Sequence, residues 1–228
     1  AMESRGLGDV YKRQGKNDID VGNSGSNLDT DTYNLTLYST SPILEDTKFL
    51  DTVVGFGKLK SDILSVVDGE NLTADRDGRQ IYGSFKIKDE FKKNNFTLIP
   101  SGRFDIGHTT LERYEESGPG AINVKKQTVK SNKLRVGFAA TEDLTNDKYY
   151  FKRHGKLEYV ADIDRNSKFK YYYVDDTSGS IFHETLQSES LHNLTGELGV
   201  DIVLPSGLSI FMIYERNQAL KSSHTDKI

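Results

Sequence analysis

The chain has 228 residues, with 30 basic and 34 acidic side chains for a formal charge of −4, and it contains no Cys, no Trp and four Pro. A disulfide framework, a Cys-ligated metal site and a basic nucleic-acid surface are excluded. The apolar content is that of a folded chain, yet no run approaches the ~18 consecutive apolar residues of a spanning helix, so only a β-barrel could take this sequence through a bilayer.

Residues 1–14 (AMESRGLGDVYKRQ) include DVYKRQ, which resembles a translated transposon end, and they are set aside as non-native sequence. No secretory apolar core stands near this start. Residues 15–30 are rich in Gly, Ser, Asn and Asp, a composition expected of a flexible linker. Their neighbouring acids Asp18, Asp20, Asp29 and Asp31 do not have the spacing of a calcium loop.

From Thr32 the hydrophobic period is two. Tyr33, Leu35 and Leu37 alternate with polar neighbours; residues 49–60 form a second strand-like run; Asp77-Gly78 reads as a turn, followed by Ile81, Gly83, Phe85 and Ile87 on one face. Phe96, Leu98, Pro100, Gly102, Phe104 and Ile106 share a face, then Leu134, Val136, Phe138 and Ala140, then Leu157, Tyr159, Ala161 and Ile163. Residues 167–175 alternate aromatics. The last runs carry Leu194, Leu198, Val200, Ile202 and Leu204, and Leu208, Ile210, Met212 and Tyr214. About nine to eleven strands result, with 121–127 and 181–187 the least regular.

Several runs reach ten or more residues, the length of a tilted membrane strand rather than the ~5–6 of an ordinary sheet. The faces opposite the apolar ones carry Arg103, Asp105, Arg135, Glu158, Asp162, Glu197, Asp201 and Glu215. On a soluble sandwich that face meets solvent, with Phe104, Val136, Tyr159 and Val200 packed inside. In a membrane barrel the sidedness inverts, and the charged set lines a wet lumen. Periodicity alone fits both. Strand length, and tyrosines near strand ends and turns at Tyr33, Tyr82, Tyr114, Tyr149, Tyr150, Tyr171, Tyr172, Tyr173 and Tyr214, favour the membrane.

The succession VVGFGKLKSD (53–62), ADRDGRQIYGSF (74–85), LIPSGRFD (98–105), LERYEESG (111–118), SNKLRVGFAA (131–140), GKLEYVADIDRNSKFKYYYVD (155–175), TGELGVDIVLPSGLSIFMIYER (195–216) and SHTDKI (223–228) resembles the C-terminal translocator barrel of autotransporters over residues 31–228. The resemblance implies an all-β, antiparallel, up-and-down transmembrane β-barrel of the bacterial outer-membrane type, with about 9–11 of 12 strands present and the last one missing. It further implies an N-terminal passenger exported to the cell surface, with periplasmic chaperones, the barrel-assembly machinery and outer-membrane lipid as partners. Pro100 would sit at a bulge in its strand, and Ser101 stands where the family usually has an aromatic. The tether helix such barrels carry has no counterpart in residues 15–30.

Nothing in the sequence carries an enzyme. Five scattered histidines lack metal-ligand spacing, and no nucleophile elbow, P-loop or dinucleotide fingerprint is present, so no cofactor and no metal are expected. Asp105, Glu158 and Asp162 share the face that self-cleaving relatives use, but Arg103, Arg135 and Lys156 share it too, and ion pairing is their expected role. A passive outer-membrane channel is the alternative function, and a soluble binding module the third.

Overall fold

In the computed structural model, the residues described are 9–21, 25–43, 45–146, 149–164, 166–187, 191–220 and 224–227. Among these residues fifteen strands are formed, in chain order: β1 (Asp9–Val21), β2 (Ser26–Ile43), β3 (Glu45–Val67), β4 (Glu70–Asp89), β5 (Phe91–Lys93), β6 (Phe96–Leu111), β7 (Tyr114–Glu115), β8 (Ile122–Val124), β9 (Gln127–Asp143), β10 (Tyr150–Asp162), β11 (Asn166–Tyr173), β12 (Phe182–Gln187), β13 (His192–Val203), β14 (Ser209–Ala219) and β15 (His224–Lys227). Ten of them run antiparallel in the order β1-β2-β3-β4-β6-β9-β10-β13-β14-β15, with β5 a short addition beside β6. The sheet curls into an open half-barrel, and no ladder joins β1 to β15 among the described residues.

Three sequence expectations are corrected. Residues 15–21, expected as a flexible linker, form with residues 9–14 a strand that pairs from Asp9↔Tyr38 to Val21↔Ser26; residues 1–8 lie outside the described residues. The physical reason is that β2 offers a row of backbone donors and acceptors, which any proline-free segment can satisfy whatever its side chains. The turn falls at Asp68-Gly69, not at Asp77-Gly78. Asp68 and Gly69 have φ of 52° and 83°, the two left-handed residues of a tight hairpin, and Val67 pairs with Glu70 across them. Asp77 and Gly78 lie inside β4, where Gly78 lets Leu111 and Leu59 close in from either side.

Pro100 does not bulge its strand. The β6–β9 register runs unbroken through Pro100↔Phe138. On its other edge the ladder lapses between the Lys88↔Ser101 and Phe91↔Leu98 pairs, and the Glu90 amide donates instead to the Thr47 carbonyl. The missing proline donor therefore falls where the neighbouring strand is already diverted.

At one end of the sheet the connections from β2 to β3, β4 to β6, β9 to β10 and β13 to β14 are all short. At the other end, beside the tight turn at Asp68-Gly69, two long connections, 112–126 and 163–191, build a four-stranded tier in the order β12-β11-β8-β7. The tier continues the main sheet. Ser117 bridges Thr73 beyond the end of β6, the Lys125 amide donates to the Lys170 carbonyl, and Gln127 Nε2 donates to Ser167 Oγ at 3.0 Å. The most buried apolar side chains are Leu72, Ala121 and Val124 at this junction, with Val160 further down.

Candidate functional site

Alternation on paired antiparallel strands sorts every side chain onto one of two faces. The apolar rows Phe85–Phe104–Leu134 and Ile87–Gly102–Val136–Tyr159–Leu194 run across the sheet in register. These residues face away from the concavity. Val136 is 54% exposed, Ile87 57%, Tyr159 41% and Phe104 36%. A soluble sandwich would hide that face, and here it is bare.

The concave face is ionic. A hollow against it is lined by Asp51, Lys86, Arg103, Asp105, Lys133 and Arg135 together with Tyr38 and Tyr82. Arg103 and Arg135 are directly opposite one another on β6 and β9, a like-charge pairing that the Asp105 carboxylate resolves by accepting from both: Arg135 Nε reaches Oδ2 at 2.7 Å and Arg103 Nε reaches Oδ1. Glu158, one of the most buried charged residues, accepts from Lys156 Nζ at 2.9 Å. Asp162 lies 3.5 Å from Lys133, and Lys88 pairs with Asp51 at 3.3 Å. Further round, Glu197 is 3.7 Å from His154 Nε2 and opposite Glu215, while Asp201 is opposite Lys152.

The structure thus brings Arg103, Asp105 and Arg135 into one cluster and leaves Glu158, Asp162, Glu197, Asp201 and Glu215 distributed along the same face. Asp105, Glu158 and Asp162 do not converge on a shared point; each has its own cation. Among the described residues no group of His, Asp and Glu is arranged to hold a metal. Replacing Asp105 by Asn is expected to cost about 1–2 kcal/mol, because two half-buried guanidiniums are left facing each other with one neutral acceptor. A lowered urea midpoint of the folded form would show it.

Sequence reasoning missed the partners Lys133, Lys88 and Asp51, although their parity along the strand places them on the ionic face. It also misplaced several tyrosines. Tyr33 and Tyr214 do stand on the outward face, but Tyr82 turns inward, lies over Gly55 and hydrogen-bonds Thr36. Tyr114 stacks under the Arg76 guanidinium at 5.1 Å, and Tyr171 belongs to a stack with Phe169 and Phe182 in the tier.

Sidedness reverses toward the tier. The row Asp29–Asp62–Asp75 points outward while Leu28, Ile63 and Ala74 point inward. In water the outer surface must be polar, so this reversal marks where hydrocarbon ends. On β9 the outward charges nearest the apolar stretch are Lys130 and Glu142. Their separation of twelve residues, at ~3.3 Å each and a tilt of roughly 40°, spans about 30 Å, the thickness of a bilayer core.

Long strands, an apolar belt outside and paired charges inside define the wall of an outer-membrane β-barrel. The autotransporter beta-domain family model matches residues 10–215, and the chain belongs to that family. It is an outer-membrane translocator barrel that exports a linked passenger. The fold is similar to the translocator domain of autotransporter NalP from Neisseria meningitidis, with a TM-score of 0.71 at 16% identity over 96% of this chain and 72% of that one. Comparison with curated protein sequences returns no match.

Proposed function

We propose that the eight charges Arg103, Asp105, Arg135, Glu158, Asp162, Glu197, Asp201 and Glu215 form the wetted wall along which the passenger crosses, and that the wall performs no catalysis. The observation that carries this reading is the pairing of both charge signs on the concave face beneath a bare apolar exterior. Alternating, mutually neutralised charge keeps water in the path without binding a passing polypeptide of either sign tightly. Asp105, Glu158 and Asp162 act as structural counterions rather than as an acid–base pair.

Assembly is assigned to periplasmic chaperones and the barrel-assembly machinery. The support is that, among the described residues, no ladder covers the outer edge of the thirteen-residue β1 or the β14 edge before its short pairing with β15, and such edges aggregate if released unprotected. The test is passenger display on intact cells, read by protease shaving. The triple change Arg103→Met, Asp105→Leu and Arg135→Met is expected to leave the heat-modifiable barrel band in place and to reduce display several-fold, because an apolar patch dewets the path. Undiminished display would overturn the assignment of these residues.

A further inference from the structure

The charged rows at the two margins of the apolar belt are not built alike. At the end bearing the short connections, Arg153 on the outward face is paired with Glu142. At the tier end, Lys58 stands directly opposite Arg79, and His108 directly opposite Lys130, all four exposed on the outward face of β3, β4, β6 and β9. No described carboxylate lies within ion-pair distance of Lys58, Arg79 or Lys130, in a chain that carries more acid than base. In the concave cluster Arg103, Arg135, Lys133 and Lys88 each have such a partner.

A cross-strand pair of like charge such as Lys58 and Arg79 destabilises a sheet unless something anionic lies over it. The surface beneath them says what that is. Lys58 and Arg79 line a shallow outward hollow of about 600 Å³ together with Tyr33, Leu35 and Phe56. Cations in the row toward the tier and aromatic and aliphatic side chains in the row beside it match an amphiphile with a phosphate head and hydrocarbon tails. In such barrels the long connections lie at the cell surface, and 112–126 and 163–191 both leave the tier end, so the hollow faces the outer leaflet.

We propose that Lys58 and Arg79, extended by His108 and Lys130, form a binding site for the phosphorylated glycolipid of the outer leaflet, with Arg79 and Lys58 clasping one phosphate and acyl chains lying on Leu35 and Phe56. The site rests on the outer-membrane reading and adds a specific lipid ligand to it. Guanidinium and ammonium groups side by side suit a phosphate monoester better than a singly charged phosphodiester.

The full chain is folded into phosphatidylethanolamine vesicles containing either bis-phosphorylated lipid A or its dephosphorylated form, then extracted mildly, and the glycolipid retained per chain is measured. Retention is expected to be about tenfold higher for the phosphorylated form, a difference of about 1.4 kcal/mol. Lys58→Gln with Arg79→Gln is expected to lower it about fivefold, while Arg153→Gln at the opposite margin leaves it unchanged. The comparison of the two lipids on the unaltered chain needs no variant to fold. Equal retention of the two forms, or of phosphatidylglycerol, by a chain that shows the heat-modifiable inserted band overturns the site alone. A chain that never inserts in either vesicle overturns the barrel reading and the site together.

Discussion

Val136→Arg is expected to prevent stable insertion, whereas Ser131→Lys on the same strand is expected to be tolerated. Val136 is midway between the outward charges Lys130 and Glu142 on β9, and its side chain is 54% exposed. At the bilayer midplane an outward arginine costs about 2–4 kcal/mol, falling toward zero at the interfaces. Ser131 lines the concave hollow, where an added ammonium remains hydrated and within reach of the mixed charges around it. Urea titration of the vesicle-inserted chain should therefore show a loss of about 2–4 kcal/mol for the first variant and a change within about 0.5 kcal/mol for the second. The comparison is sharp because a half-exposed valine on a soluble protein accepts arginine at little cost. Equal, small effects at both positions would remove the membrane from the account.

The second large effect is expected at Gly55. A Cβ at this position would lie 2.1 Å from the Tyr82 ring, far inside contact distance. The ring crosses from β4 onto β3, using the absent side chain as its seat, and its hydroxyl reaches on to Thr36 of β2, so one tyrosine ties three strands together on the concave face. Gly55→Val must displace the ring and lose that hydrogen bond, a cost of about 2–4 kcal/mol from overpacking and an unmade polar contact. Tyr82→Ala alone should cost less, because it leaves space and not a clash. Combined with Gly55→Val it should recover part of the loss, giving a coupling of about 1–2 kcal/mol in a double-mutant cycle. Strictly additive losses would show that the ring and the glycine do not interact. The heat-modifiable fraction after refolding is a second readout of the same four proteins.

Asp105 and the Lys58–Arg79 pair show why only part of the site was legible in sequence. Asp105 could be assigned to the face of Arg103 by counting in twos along one strand, since the backbone alternates whatever the fold. Its second partner, Arg135, is thirty residues away, and their meeting depends on the β6–β9 register, which no local pattern states. The opposition of Lys58 and Arg79 likewise depends on the β3–β4 register, set by the turn at Asp68-Gly69. With the turn placed at Asp77-Gly78, the pair cannot be seen. Both dipeptides have the same local chemistry, and the longer ladder available around residues 68–69 decides between them: twenty residues of β4 pair continuously with β3.

The tier shows a different limit. Residues 121–127 and 181–187 lack a clean period because β8 and β12 are only three and six residues long, and because β8 buries Asn123 along with Val124. Residues 9–21 and 26–30 have no period at all, and they are strand because β2 has a free edge for β1 to complete and because β3 holds β2 on its other side.

By itself the sequence determined that this chain is an antiparallel β protein with strands long enough for a bilayer, and which side chains share a face, because a period of two is written into every strand. Which face is outside was decided only by the tertiary structure. Curvature is a property of the whole sheet, produced by ladders between distant segments, and it alone makes one surface concave and ionic and the other convex and apolar.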